Sequence, residues 1–332
     1  MEVRLLDDSG VHERTAADVP DTLGRDDGGF WWIDIPEWDE DAEALLKRMG
    51  AHPLVIEACR QRNYVPIVHG YGGHVFMTTQ SPYLGGAGHV HLLELDQIIG
   101  QDYLVTVHGP INPEVPLERA LVETSGVLGR VEGGRFAPRS PAELSYAITS
   151  AVARRQSSAV RDVARKLPGL ERQVMTSQMR DPEALLEELF LIRHELITTR
   201  TMASQSHDIL VRMAGISRLS GEPAAGDRHD VWARDLADQF DRVRSLADGE
   251  AQFLFGVIEL YQTKVHTKMT VAMERLAVIA AVTLPITAIA SIVGMNVIVN
   301  DRTHYVELVV LLVVMLAISL ALLRWARRQG WW

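Results

Sequence analysis

The chain has 332 residues, with 43 Asp and Glu against 33 Lys and Arg, and a net charge of −10 at pH 7. This balance argues against nucleic acid as a partner, because nucleic-acid backbones are themselves negative. The chain has a single cysteine, Cys59, so it cannot contain an internal disulfide. We expect the Cys59 side chain to be a small, buried apolar group. The acid excess lies in residues 1–275, with 41 acids and 29 bases. It is compatible with attracting cations and with ordinary solubilising charge.

Residues 1–140 have a mixed pattern that predicts an α/β domain. The aromatic run at 30–35 ends at a proline and predicts a strand, whereas residues 38–49 have helical spacing and precede Gly50. Three further apolar runs predict strands at 74–79, 91–99 and 103–108. The glycines between the runs predict hairpin turns and do not form a phosphate-binding loop. These glycines are Gly70, Gly72, Gly73, Gly85, Gly86 and Gly88.

Residues 141–275 are predicted to be helical. Pro141 suits a first helical turn after Ser140, and this helix is predicted to run towards Met179. A second helix is predicted from residue 182 to about Leu210, and residues 221–226 predict a break.

The longest predicted helix runs from about Asp230 to Gly294, and Pro285 is its one strong helix breaker. Some 65 residues at about 1.5 Å each give a length of nearly 100 Å. Its stripe of apolar residues at steps of three and four must pack on neighbouring helices or on sister subunits. We therefore expect a stalk helix that continues into the next region.

Two apolar stretches near the end of the chain predict a transmembrane hairpin. Residues 276–294 hold no charge, and residues 306–323 hold one acid, Glu307. About 20 apolar residues suffice for a helix to cross a bilayer. The linking residues 295–305 are short and polar, and the chain ends in a basic tail, 324–332.

The flanking charges predict the orientation of the hairpin. Basic residues border the cytoplasmic ends of both spans and are nearly absent from the loop, so both chain ends are expected in the cytoplasm. These residues are Lys264, Lys268, Arg275, Arg324, Arg327 and Arg328. Trp325, Trp331 and Trp332 suit an interfacial belt. The polar, acidic start of the chain shows no cleavable signal.

Thr287, Ser291 and Gly294 share one face of the first span at positions i, i+4 and i+7. Such a face predicts either a water-filled pore or close helix packing, and both remain open from the span alone. The same face continues towards the cytoplasmic end of the helix through four apolar or small residues, and then through a threonine. Apolar residues in a pore can close it by excluding water. These positions are Leu284, Ala280, Leu276, Met273 and Thr270.

The tripeptide Gly294-Met295-Asn296, placed at the outer end of the first span, resembles the signature of the CorA family of divalent-cation channels, in the 2-TM-GxN superfamily. Pro285-Ile286-Thr287, the long helix and the basic tail agree with this resemblance. A weaker match is the run HPLVIE at residues 52–57, followed by Gln61-Arg62.

The resemblance implies a funnel-shaped homopentamer that transports Mg2+, often with Co2+ or Ni2+. It implies that Gly294, Met295 and Asn296 form the pore mouth, where amide oxygens would hold a hydrated ion. It places Met273 and Leu276 at the inner constriction. Thr270 then stands where the family commonly has an asparagine.

The resemblance also implies that Mg2+ closes the pore from the cytoplasm. Asp235, Asp238 and Glu259 match the long-helix positions used for that ion. No clear counterpart occurs in residues 81–89, and Glu94 and Asp96 are the nearest substitutes. The segment after Asn296 also lacks the Met-Pro-Glu-Leu run that is frequent in the family.

The sequence therefore predicts a passive Mg2+ channel in a bacterial plasma membrane, with copies of itself, lipid and divalent cations as partners. No cofactor is expected beyond Mg2+ as cargo and regulatory ion. An enzyme is not expected, since CxxC, HExxH, Walker and GxSxG motifs are absent. One alternative is a zinc transporter of the ZntB branch, with or without proton coupling. A second is a membrane-anchored sensor or scaffold.

Overall fold

The computed structural model describes residues 1–20, 29–61, 63, 65–86, 88–109, 112–176, 182–219, 223–294 and 305–328. Within the helices, the side chains at 215–219, 223–230, 293, 305, 307 and 308 are not described. The chain divides into two compact units, Met1–Gly256 and Val257–Trp332. The sequence analysis instead placed domain boundaries after residues 140 and 275, and these boundaries stay predictions.

A seven-stranded sheet forms the centre of the first unit, in the order β2-β1-β3-β7-β6-β5-β4. The strands are β1 (Glu2–Asp7), β2 (Gly10–Arg14), β3 (Phe30–Ile35), β4 (Val68–Tyr71), β5 (His74–Leu84), β6 (Val90–Gly100) and β7 (Tyr103–His108). β3 and β7 pair in parallel, and the other neighbours are antiparallel. The bounds predicted for β3 and β7 are confirmed. β5 and β6 are longer than predicted, and β1, β2 and β4 were not predicted.

The predicted hairpin turns are confirmed on either side of β5. Gly72 lies in the turn between β4 and β5 with a φ of 28°, and Gly88 lies in the turn between β5 and β6 with a φ of 79°. A side chain is disfavoured at both backbone conformations, which explains the use of glycine. Gly70 is different, since it lies inside β4.

One face of the sheet is covered by α1 (Glu40–Arg48) and α2 (Pro53–Arg60). Asp39 caps α1 by accepting a hydrogen bond from the Ala42 N–H at 2.7 Å. The apolar core lies between these helices and the sheet. Its fully covered members include Ile33, Ile35, Leu46, Val55, Ile98, Val105 and Val107. Cys59 belongs to this cluster, so its predicted burial is confirmed.

The opposite face is covered by α5 (Pro141–Met175), next to the short α3 (Leu117–Ala120) and α4 (Val122–Glu132). The Gln97 amide on β6 donates to Thr149 Oγ1 on α5 at 3.0 Å and accepts from Ser145 Oγ at 2.7 Å. Because helices cover both faces, the middle strands are buried on both sides.

The bounds of the long helices differ from those predicted. α5 ends at Met175, four residues before Met179, because Thr176 leaves the helical region (φ −66°, ψ 134°). α6 (Pro182–Leu219) passes beyond Leu210. α7 (Pro223–Gly294) begins inside the predicted break. Pro223 suits a first helical position, and Gly226 costs a helix only about 1 kcal/mol, so neither residue prevents this start.

The second unit consists of the end of α7, from Val257, and α8 (Tyr305–Arg328). Each helix is long and apolar enough to cross a membrane, and just 6% of the most apolar window of each is buried. A core helix of a soluble protein would instead be largely covered. The two apolar C-terminal helices are therefore confirmed, while the predicted loop lies largely outside the described residues.

Candidate functional site

The candidate pore positions lie on exposed parts of α7. All eight predicted positions that the structure describes are exposed within the single chain. They are Thr270, Met273, Leu276, Ala280, Leu284, Thr287, Ser291 and Gly294.

The least exposed positions of the same segment form a stripe on its opposite side, called here the covered stripe. At about 100° per residue, the covered positions project roughly opposite the candidate face. Val278 is buried, at 1% exposure, and the other members are half-buried: Glu274, Val282, Pro285, Ile286 and Ile289. The face predicted from helical spacing is exposed within the chain, as are most positions beside it, so its role as a pore lining stays a prediction.

α8 has a covered stripe of its own, in which Ala326 is buried and the other members are half-buried: Leu311, Met315, Ile318, Ser319, Leu322 and Leu323. Among its described residues the second unit contains only α8 and the end of α7.

The hydroxyl groups on this face bond to their own helix. Thr287 Oγ1 donates to the Thr283 carbonyl at 2.8 Å, and Thr270 Oγ1 donates to the His266 carbonyl at 3.0 Å. Because each hydroxyl proton is used inside the helix, the oxygen lone pairs remain as acceptors. A hydrated cation presents water O–H groups, so acceptors are what such a face can offer it.

Gly294 is the last residue of α7 and is exposed. A Cβ atom built at this position would meet nothing within 4 Å in the chain. Intrachain crowding among the described residues therefore does not require glycine here. Met295 and Asn296, the other two members of the predicted pore mouth, lie outside the described residues.

The candidate regulatory acids lie on exposed parts of α7, apart from any metal-binding cluster of described residues. Among the described residues, no group of three or more His, Cys, Asp or Glu side chains is placed to hold a metal ion. Asp235, Asp238 and Glu259 are each exposed. The described residues of one chain therefore do not bring three such ligands together at these acids.

Asp235 has partners that sequence reasoning missed. Its Oδ2 accepts hydrogen bonds from Tyr146 Oη and from Gln239 Nε2, both at 2.7 Å. These two bonds are the main reason that the pKa of Asp235 is lowered from its ordinary value. Gln239 is one helical turn from Asp235 and could have been found by spacing, but Tyr146 is 89 positions away on α5.

Glu94 and Asp96 cannot serve as exposed substitutes for the missing acids, because both are buried in β6, at 7% and 0% exposure. Glu94 accepts from the Asn63 backbone N–H at 2.7 Å, and Asp96 accepts from Thr78 Oγ1. Burial and the nearby charge of Glu94 raise the pKa of Asp96 well above its usual range. That suggestion from the sequence was wrong, because the helix layer leaves these carboxyls no access to a subunit surface.

Residues 27–328 match the family profile described as "CorA-like Mg2+ transporter protein". A curated relative from Bacillus subtilis (strain 168), named "Putative metal ion transporter YfjQ", is 21% identical over 310 residues, which are 92% of this chain and 91% of that protein.

Solved structures with the same fold include the CorA magnesium transporter from Methanocaldococcus jannaschii. It has a TM-score of 0.78 at 16% identity and covers 100% of this chain and 99% of its own. The full-length CmaX protein has a TM-score of 0.74 at 16% identity, with 98% and 97% covered. The ZntB cytoplasmic domain from Vibrio parahaemolyticus RIMD 2210633 has a TM-score of 0.55 at 11% identity, with 80% and 98% covered.

Proposed function

Because the chain belongs to the CorA-like Mg2+ transporter family, we propose that it forms a passive channel that admits Mg2+ into the cell. The observation that carries this proposal is the uncovered face of α7, which leads through Thr287 and Ser291 to Gly294. A helix that only tethers a protein to a membrane needs no polar face, whereas a conduction path needs acceptor oxygens.

The channel is proposed to be a homopentamer in a bacterial plasma membrane, with both chain ends in the cytoplasm. The support is the open face of α7 within one chain, together with the basic residues that flank the spans. In this assembly the first spans surround a central path, and Met273 and Leu276 form an apolar constriction on its inner part.

Entry is driven by the membrane potential in this proposal. The potential is worth roughly 2.3 kcal/mol per charge per 100 mV, and so about twice that for a divalent ion. Asn296 would present amide oxygens to the hydrated ion. Mg2+ dehydrates reluctantly, so a site that accepts its hydration shell suits it better than one that strips the shell away.

The test is uptake into proteoliposomes that contain the purified full-length chain, with Mg2+, Zn2+ and Co2+ compared with and without a pH gradient. We expect Mg2+ flux that follows voltage and ignores pH. In the Asn296→Ala variant this flux should fall at least tenfold, which corresponds to about 1.4 kcal/mol or more. The oligomer size should stay that of the wild type.

Ser319→Ala is the matched control. Ser319 lies on the covered stripe of α8 and donates to the Met315 carbonyl at 2.8 Å, so its loss should leave flux unchanged. Undiminished flux in Asn296→Ala would remove the proposed selectivity role.

The second candidate is zinc transport on the same scaffold. It is favoured by the residues after Asn296, which lack the Met-Pro-Glu-Leu run and place Arg302 beside Asp301. Zn2+ flux that grows with the proton gradient would support it over Mg2+. Absence of flux for every ion tested would support a membrane-anchored sensor instead.

A further inference from the structure

A small cleft lies between α4 and α5, far along the chain from the candidate pore face. Its volume is about 160 Å3, and its rim carries three arginines, Arg130, Arg154 and Arg155. Val127 and Ala151 contribute an apolar floor, and Glu123 is the single acid in the lining.

The acid in the cleft is already neutralised. Arg155 Nη1 donates to both carboxylate oxygens of Glu123, at 3.0 and 3.1 Å, and to the Arg119 carbonyl at 2.9 Å. Glu123 is only 4% exposed and Arg155 only 17%, so this ion pair is a fixed part of the wall. It links α4 to α5 and leaves Glu123 no free charge for the other two arginines.

Arg130 and Arg154 have no acidic partner among the described residues, although each lines the same cleft. The Arg130 guanidinium lies over the Phe136 ring, 5.1 Å from its centroid, which holds it in place. Partial burial and the charge of Arg130 lower the pKa of Arg154. Two like charges are therefore held close together in a chain whose net charge is −10.

We propose that this cleft binds a small phosphate-type oxyanion, either inorganic phosphate or one phosphoryl group of a nucleotide. Guanidinium groups present paired N–H donors that match the oxygens of such anions. The cleft has the volume of roughly five water molecules at about 30 Å3 each. One tetrahedral oxyanion fits that space, whereas the base and sugar of a nucleotide would lie outside it.

The test is isothermal titration of the full-length protein in detergent, free of divalent ions, with inorganic phosphate and separately with ATP. We expect saturable binding that weakens at least tenfold in Arg154→Gln and in Arg130→Gln. Arg161→Gln is the matched control, since Arg161 is an exposed arginine of α5 outside the cleft. Its affinity should equal that of the wild type.

The two ligand arms distinguish the source of the phosphate. Tighter binding of ATP than of phosphate, with the same dependence on Arg154, assigns a nucleotide; binding of phosphate alone assigns the free ion. The proposal is overturned if neither anion binds, or if Arg154→Gln binds as well as Arg161→Gln. Because binding is read without ion flux, this outcome is independent of whether the chain conducts Mg2+.

Discussion

At the scale of single residues, Asp96 shows how burial decides the state of a carboxyl. It is fully buried between strands and a helix layer, and its Oδ2 atom has no hydrogen-bond partner among the described residues. Thr78 Oγ1 donates to the other oxygen. The charged form is poorly solvated there, so burial raises the pKa of this carboxyl well above its usual range.

Asp96→Asn should therefore stabilise the protein at pH 7 to 8.5. The folded pKa is raised, so the wild type loses stability as pH rises above the unfolded pKa of about 3.9, and this loss continues up to the folded pKa. Each unit of difference between the two pKa values is worth about 1.4 kcal/mol. An asparagine does not titrate, so the variant should lack this loss.

The measurement is thermal unfolding of the full-length protein in detergent at several pH values. The difference in unfolding temperature between Asp96→Asn and the wild type should shrink as pH falls towards 4. Asp241→Asn is the control, because Asp241 is a solvent-accessible acid of α7. Its difference in unfolding temperature from the wild type should vary little with pH. Equal pH dependence of wild type and Asp96→Asn would mean that Asp96 is ionised in the fold.

At the scale of elements, the open face of α7 gives a direct test of which side meets other chains. Leu284 is 66% exposed on that face, and Val278 is 1% exposed on the covered stripe. Native Cys59 is 1% exposed and its pKa is raised by burial, so it should not react. Cysteines introduced at the two positions can therefore be compared directly.

Under mild oxidation in membranes, Leu284→Cys should give covalently linked dimers on a denaturing gel, because the same face of two chains meets near a shared axis. Val278→Cys should remain a monomer. Linked dimers from Val278→Cys alone would reverse the assignment of the two faces.

Elements with strong hydrophobic patterning could be predicted from the sequence, and weakly patterned ones could not. β3 and β7 are apolar and were placed at their observed bounds, whereas β2 is polar and largely exposed along its length. Helical spacing placed the candidate pore face on α7, and that face stays a prediction. The burial of Glu94 and Asp96 was missed because period-two polar residues in a strand normally face water, and here a second helix layer covers them.

At the scale of the whole molecule, we propose that regulatory metal binding is a property of the assembly. Asp235 is held by Tyr146 and Gln239 within its own chain, and no described cluster completes a metal site around it. We propose that a neighbouring chain supplies the remaining ligands for a regulatory Mg2+. The contact with Tyr146 depends on the packing of α5 against α7, which the sequence pattern does not encode.

Asp235→Ala should raise the Mg2+ concentration that protects the full-length protein from protease by roughly tenfold, or about 1.4 kcal/mol. Asp241→Ala is the control, because Asp241 is also an acid of α7 but pairs with Arg244 in its own helix. The measurement is limited proteolysis across a Mg2+ series. Equal protection of the two variants would place the regulatory ion elsewhere.

The parallel pairing of β3 with β7 also sets an order of events during synthesis. The middle of the sheet joins residues roughly 70 positions apart, so it can close only after residue 108 has left the ribosome. At about 5–20 residues per second, the roughly 170 residues from there to the first apolar span take roughly 10–30 s to make. Mixed α/β domains fold in seconds or less. The sheet can therefore be complete before the ribosome has made anything that a membrane could receive.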